Sequence, residues 1–310
     1  MARRQDVPRP QYVVFQARVA RVRRLGPSFT RITFTGDDLH RFGIGGLDQR
    51  IKLMLPQPGR TIADLPDGPD WYPRWQAMPD EVRPTLRTYT VRAHRPEAAE
   101  LDIDFVLHGV DAGHGGPAST WAATAAPGDE AGLLGPDRPG SGPMWGCEWS
   151  PPRSAHRLVL AGDETAVPAM AAIVESLPAD ARGVVCAEVP TVDDIQTWEG
   201  PRNVEIRWLV RRRPTGWLPH GALLEDSVSA ALSEFSASGG DCATALEDVD
   251  VDSATLWDVP QETTAATARL YGWLAGEASV IKRLRRLMVQ DHQVPRGAVA
   301  FMGYWRAGRS

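Results

Sequence analysis

Hydrophobic and polar residues follow two different rhythms along this chain, and the change falls near residue 155. Before it, short β-branched and aromatic runs dominate. Residues 13–19 and 29–35 are two such runs, separated by the turn signal Gly26-Pro27. The second alternates apolar and polar positions, as a strand with one buried face does. Residues 50–55, 86–92 and 101–107 read as further strands. Several short strands with turns between them predict a small antiparallel β-barrel. Residues 56–84, rich in Pro, Asp and Trp, read as a long surface excursion without assigned structure.

After residue 155 strands alternate with helices. Residues 156–162 form an apolar run ending in Gly162. A helix-compatible run over 166–177 follows, with Pro168 tolerated only in a first turn. Strands are expected at 183–189, 204–210 and 269–274, with helices inside 221–235 and at 279–290. In the last helix Ile281, Leu284, Leu287 and Met288 share one stripe. This order implies a parallel sheet covered on both faces. The polar, acidic stretch 236–267 reads as a mobile insertion, and the Gly/Pro-dense stretch 135–155 as a linker. The expected architecture has two domains: an antiparallel β-barrel over 10–145 and a parallel-sheet α/β domain over 155–310.

Composition narrows the function. A chain of 310 residues, 43% hydrophobic and 24% charged, accommodates two ordinary soluble domains. A net charge of -5 argues against a nucleic-acid binder, and Arg3, Arg4 and Arg9 read as a solvated tail. No segment approaches the ~20 apolar residues of a membrane span, so no stable membrane insertion is expected. The basic N-terminus has no apolar run after it and does not read as a secretory signal. Cys147, Cys186 and Cys242 lie far apart and match neither a disulfide framework nor a zinc or iron–sulfur spacing. A reducing, cytoplasmic setting is expected, in which redox chemistry would use a bound organic cofactor.

A barrel followed by an α/β domain is one way to hold a flavin beside a nicotinamide. On a strand, Arg87 and Tyr89 of Arg87-Thr88-Tyr89-Thr90 share a face. Arginine can hold a phosphate, a tyrosine ring can stack on an isoalloxazine, and a threonine hydroxyl can bond near flavin N5. The same residues read equally well as surface and barrel wall. A second piece follows Asp104-Phe105-Val106-Leu107-His108-Gly109. There the loop 114–122 is Gly-rich, and Ser119 and Thr120 open a short helix. Their hydroxyls and N–H groups can receive a pyrophosphate, or serve as an ordinary helix cap.

With these pieces in order, the chain resembles the siderophore-interacting protein family, flavin-dependent ferric-siderophore reductases of the ferredoxin–NADP reductase superfamily. The matching segments are 87–92, 104–109, 116–122 with Pro127-Gly128-Asp129, 160–169, 273–278 and Gly303-Tyr304-Trp305-Arg306. The resemblance implies that Arg87 holds FAD phosphate. It puts Tyr89 and Thr90 at the reacting face of the flavin, His108 near the ribityl or adenosine part, and Ala118, Ser119 and Thr120 on the pyrophosphate. It further implies a nicotinamide cofactor near Gly162, Asp163, Glu164 and Thr165 and near Ala275, Gly276 and Glu277.

For the donor, Glu188 could bond a ribose 2′-hydroxyl and favour NADH. The run Arg211, Arg212, Arg213 could take a 2′-phosphate and favour NADPH, the preferred reading, or else form a solvated strand end. Asp163 and Glu164 are acidic where an anion should approach, and one of them could cap the helix. Reduced ferredoxin is an alternative donor. For an anionic ferric siderophore, Lys52 and Arg306 are the candidate cations. Arg138 is a third, in a segment that departs from the family pattern. The expected activity is reduction of a ferric siderophore by NADPH through FAD, releasing Fe(II). The rival reading is a non-catalytic siderophore-binding protein.

Overall fold

The computed structural model describes residues 12–68, 70–110, 113, 115–137, 146–236, 256–260 and 268–308. The chain divides into two compact units, Met1–Cys147 and Glu148–Ser310.

The first unit contains β1 (Tyr12–Arg24), β2 (Phe29–Thr35), β3 (Arg50–Leu55), α1 (Trp71–Ala77), β4 (Thr85–Thr90), β5 (Ala93–Arg95), β6 (Glu100–Val106), α2 (Pro117–Thr124) and β7 (Glu130–Pro136). Its seven strands run in the order β4-β3-β7-β1-β2-β6-β5, with every pairing antiparallel. The two edge strands are almost contiguous in sequence, since only Val91 and Arg92 separate β4 from β5. Val91 N–H donates to Gln49 O beside β3, and Arg92 N–H donates to Asp102 O on β6, both at 2.9 Å. The sheet therefore curls until its edges meet, which is the expected barrel. Phe15, Phe34, Ile51, Leu53, Ile103 and Leu133 fill its interior. A smaller cluster on the outside joins Val14, Met54 and Leu134 to Ile62 and Leu65 of the excursion, with Trp71 of α1 packed against it. The excursion is thus partly ordered and covers apolar outer-face residues.

The second unit contains β8 (Arg157–Gly162), α3 (Val167–Glu175), β9 (Gly183–Val189), β10 (Val204–Val210), β11 (Arg212–Arg213), β12 (Gly216–Trp217), α4 (Ala222–Ser236), β13 (Trp257–Asp258), β14 (Leu270–Glu277), α5 (Ala278–Arg286) and β15 (Val299–Trp305). The main sheet has the order β10-β9-β8-β14-β15-β13. It is parallel except where β13 meets β15. All seven residues of β9 are buried, the signature of a strand covered on both faces. Leu224, Val228 and Leu232 of α4 and Ile281 and Leu284 of α5 pack on Val159, Cys186 and Leu274.

Several expectations change. β7 and β15 were not anticipated as strands. The helix expected over 279–290 is α5 followed by a wider turn at Leu287–Asp291. Part of the expected mobile insertion is sheet: Trp257 and Asp258 pair with Met302 and Phe301, and Ser236 ends α4. The rest of that stretch, at 237–255 and 261–267, and Arg138 lie outside the described residues.

Candidate functional site

In the barrel, β4 presents two faces. Its register on β3 sets Arg87 opposite Leu53 and Tyr89 opposite Ile51, two interior residues. Thr88 and Thr90 face the other way, opposite Lys52 and Arg50. Tyr89 packs against Phe105 with ring centroids 4.4 Å apart. Burial pushes its phenol pKa well above the usual range, so the ring acts as a neutral surface. Thr90 is buried. Arg87 is half-buried and donates to the Leu86 carbonyl at 3.0 Å. Among the described residues no carboxylate pairs with it.

The helix α2 packs on the same interior cluster as Tyr89 through Ala118 and Ala122. Gly116 is its N-cap and Pro117 its first residue. The first intrahelical bond runs from Thr120 N–H to Gly116 O at 2.9 Å. The N–H groups of Ala118 and Ser119 therefore have no acceptor inside the helix, and they lie at its positive end. The hydroxyls differ from expectation. Ser119 Oγ donates to Val106 O at 3.0 Å and Thr120 Oγ1 to Gly115 O at 3.2 Å. What α2 offers an anion is backbone N–H, together with the open space above Gly116, where a Cβ would touch nothing within 4 Å. His108 sits half-buried two residues past β6.

Lys52, on β3, pairs with Thr88 and lies on the opposite face of the sheet from Arg87 and Tyr89. Its Nζ donates to Thr88 Oγ1 at 2.6 Å, and among the described residues it has no carboxylate partner. Partial desolvation, then the neighbouring Arg50 charge, lowers the pKa of its ammonium.

In the second unit the C-terminal ends of the parallel strands bring Gly162, Asp163, Glu164, Thr165, Glu188, Arg211, Ala275, Gly276 and Glu277 together. These groups use their polar atoms on one another. Arg211 Nη1 and Nη2 donate to both oxygens of Glu164 at 2.6 and 2.9 Å, and Nη1 also reaches Glu188 Oε1 at 3.1 Å. Arg211 is 7% exposed. It is the counter-ion of two buried carboxylates and is not available to a 2′-phosphate. Glu188, fully buried, also accepts the Gly221 N–H at 2.9 Å through Oε1, while its Oε2 has no hydrogen-bond partner among the described residues. Burial raises its pKa. Asp163 caps no helix; its oxygens accept from Thr165 N at 2.9 Å, Glu277 N at 2.7 Å and Trp305 Nε1 at 2.9 Å. Burial, then the Glu164 charge, raises the Asp163 pKa. Gly162 is small for packing, since a Cβ there would lie 2.4 Å from Ala166 Cβ and 2.5 Å from Ala275 O. Glu277 caps α5, accepting from Ser279 and Val280 N–H at 2.8 and 3.0 Å. Arg306, half-buried, follows β15 directly.

Sequence reasoning passed over His220 and Trp217. His220 Nε2 lies 3.7 Å from Asp163 and 3.8 Å from Glu164. Burial opposes its charge, but the two carboxylates outweigh it and raise the imidazole pKa. Trp217 is 57% exposed, with the Arg212 guanidinium 5.6 Å from its ring centroid. Arg212 and Arg213 are exposed and have no carboxylate partner among the described residues.

Comparison with known proteins gives a consistent result. The siderophore-interacting FAD-binding domain matches residues 18–140, and the siderophore-interacting protein domain matches residues 155–308. The ferric vibriobactin reductase ViuB of Vibrio cholerae is 29% identical over 94% of this chain and 88% of its own length. The NADPH-dependent ferric-chelate reductase of Escherichia coli is 27% identical over 93% of this chain and 91% of its own. Among solved structures, the siderophore-interacting protein SipS from Aeromonas hydrophila is 32% identical. It has a TM-score of 0.66 and covers 97% of this chain and 94% of its own.

Proposed function

We propose that this chain, which belongs to the siderophore-interacting protein family, is an FAD-dependent reductase of ferric siderophores that draws its electrons from NADPH. The observation that carries the flavin site is Arg87: a half-buried guanidinium, without a carboxylate partner among the described residues, on the same face as Tyr89. Such a charge calls for an anion. The N–H groups at the positive end of α2 that have no acceptor inside the helix, packed on the same cluster as Tyr89, suit a pyrophosphate. The residues present therefore fit FAD: Arg87, Ala118 and Ser119 hold the phosphates through guanidinium and backbone N–H. Tyr89 would offer its ring to the isoalloxazine; Thr90, next to it in sequence, points to the other face of β4 and does not share that surface. Bound flavin supplies the chemistry of accepting a hydride and passing on single electrons.

Donor preference rests on the hairpin after β10. With Arg211 withdrawn into its buried pairs, Arg212 and Arg213 are the cations left to meet a 2′-phosphate, and this favours NADPH over NADH. Reduced ferredoxin is the competing donor. Lys52 in the first unit and Arg306 in the second are each a candidate cation for an anionic ferric chelate. Reduction to Fe(II) loosens the metal, because iron(II) binds hard oxygen ligands more weakly. Anaerobic stopped-flow mixing of the holoprotein with NADPH, NADH or reduced ferredoxin tests the donor. NADPH should bleach the flavin band fastest; bleaching by ferredoxin alone would overturn the NADPH reading. A colourless purified protein that takes up no FAD would favour a non-catalytic siderophore binder.

A further inference from the structure

We propose that Asp163 and Glu277 are positioning residues for the substrate: together they clamp the C-terminal segment around Trp305 and Ala307, and so fix where Arg306 is presented to the ferric chelate. The inference rests on the ferric-siderophore reading above and gives these acids a role other than contact with the nicotinamide cofactor.

The clamp has two jaws. Asp163, its side chain 1% exposed, accepts the indole N–H of Trp305 at 2.9 Å and the backbone N–H of Glu277 at 2.7 Å through the same oxygen, Oδ2. Its other oxygen accepts the Thr165 N–H at 2.9 Å. Glu277 uses Oε2 on the first turn of α5 and Oε1 on the Ala307 N–H at 3.3 Å. Arg306 thus lies between two residues that are each tied to a buried carboxylate.

Three further features belong to the same device. Gly276 has a φ of +151°, and a Cβ there would lie 2.6 Å from Asp163 Oδ2. Only glycine lets the carboxylate sit against this strand. The register of β14 on β15 then slips: Gly276 faces Gly303, but Glu277 faces Trp305. β15 carries one extra residue, Tyr304, at this point, and such a bulge re-aims the side chains that follow it. Finally, the His220 ring stands edge-on to Trp305, with centroids 5.5 Å apart at 89°. Gly276, Asp163, Glu277, Trp305 and His220 converge on one short segment.

A cation held in place before its ligand arrives binds it better than one that must be ordered on binding. Asp163 has both oxygens engaged, so a donor phosphate gains nothing by approaching it. The consequence is a separation of effects. Loosening the clamp should weaken the chelate and spare the donor half-reaction.

The test uses the full-length FAD-loaded protein with NADPH and, as an anionic probe, the 3:1 complex of 2,3-dihydroxybenzoate with iron(III). Trp305→Phe keeps the ring and removes the indole donor. Asp163→Asn and Glu277→Gln address the jaws, and Arg306→Ala removes the cation. Loss of one hydrogen bond to a carboxylate predicts a roughly tenfold higher KM for the probe in Trp305→Phe, with an unchanged rate of flavin reduction by NADPH. Adding Arg306→Ala to Trp305→Phe should raise KM no further than Arg306→Ala alone. Additive effects, or slowed flavin reduction with an unchanged KM for the probe, overturn the clamp. An Arg306→Ala variant with wild-type KM also overturns it and leaves the reductase reading standing. A wild-type protein whose flavin NADPH reduces but which never reduces the probe or any other ferric chelate fails the functional reading itself. Should Asp163→Asn not fold, the milder Trp305→Phe carries the test.

Discussion

Arg211 grips Glu164 with two hydrogen bonds, 2.6 and 2.9 Å long, in the buried end of the second unit's sheet. Glu188 takes a third from the same guanidinium. Arg211→Ala leaves two buried carboxylates without their cation. Breaking such a pair costs about 3–5 kcal/mol. The expected outcome is a large drop in the urea midpoint, with any loss of NADPH affinity secondary to it.

Arg212 and Arg213 should behave in the opposite way. Both are exposed and unpaired among the described residues, so Arg212→Ala and Arg213→Ala should leave stability within about 0.5 kcal/mol of wild type. If they meet the 2′-phosphate, KM for NADPH rises about tenfold or more while KM for NADH is unchanged. Equal effects on both donors in steady-state assays would place the 2′-phosphate elsewhere.

Arg87→Ala removes the guanidinium beside Tyr89, which has no carboxylate partner among the described residues. A charge-assisted hydrogen bond is worth about 1.5–3 kcal/mol, so FAD should bind roughly tenfold to a hundredfold more weakly by fluorescence titration. Tyr89→Ala should lower flavin retention too, but with a stability loss of about 3–5 kcal/mol from the cavity against Phe105. Tyr89→Phe separates the two effects: it keeps the ring and should keep the flavin.

Glu100 supplies a pH signature in the barrel. Hydrogen bonds from Arg21, helped by Arg95, hold its pKa down at about 2. A carboxylate with a depressed folded-state pKa stabilises the protein at pH values above its ordinary pKa. That contribution is lost as pH falls from the ordinary carboxylate range toward about 2. Glu100→Gln should therefore be less stable than wild type at neutral pH and indistinguishable from it at the acid end, in denaturant titrations at a series of pH values.

Much of this was legible in the sequence. The bounds of β2, β3, β9 and β10 follow from apolar runs, alternating or continuous, with clear turn signals. β7 was missed because Glu130–Pro136 contains two glycines and a proline, which read as loop. The structure explains them: a Cβ on Gly132 would lie 2.5 Å from Leu65, and one on Gly135 would lie 2.3 Å from Phe42. Close packing, not chain reversal, selects glycine there. Arg87 and Tyr89 were legible as a pair because strand alternation alone puts them on one face. Arg211 was not, since three consecutive arginines do not reveal which is folded inward. The available signal was the pair Glu164 and Glu188, which stand at the ends of adjacent strands. Asp163 and Glu277 were placed by family pattern, and hydrogen-bond partners remote in sequence, Trp305 above all, reveal their work.

Lys52 tests the chelate side of the site in the barrel. Its ammonium bonds only a neutral hydroxyl among the described residues. Lys52→Ala should raise KM for an anionic ferric complex and flatten its dependence on ionic strength, with flavin content unchanged. A variant with unaltered salt dependence would remove Lys52 from the substrate path.

The most direct measurement is anaerobic turnover of the FAD-loaded protein with NADPH and a ferric siderophore, with a ferrous chelator reporting Fe(II). Catalytic Fe(II) formation that requires the protein, the flavin and NADPH together is the predicted result. A flavin-loaded protein that binds the ferric complex and forms no Fe(II) with NADPH, NADH or reduced ferredoxin would contradict it.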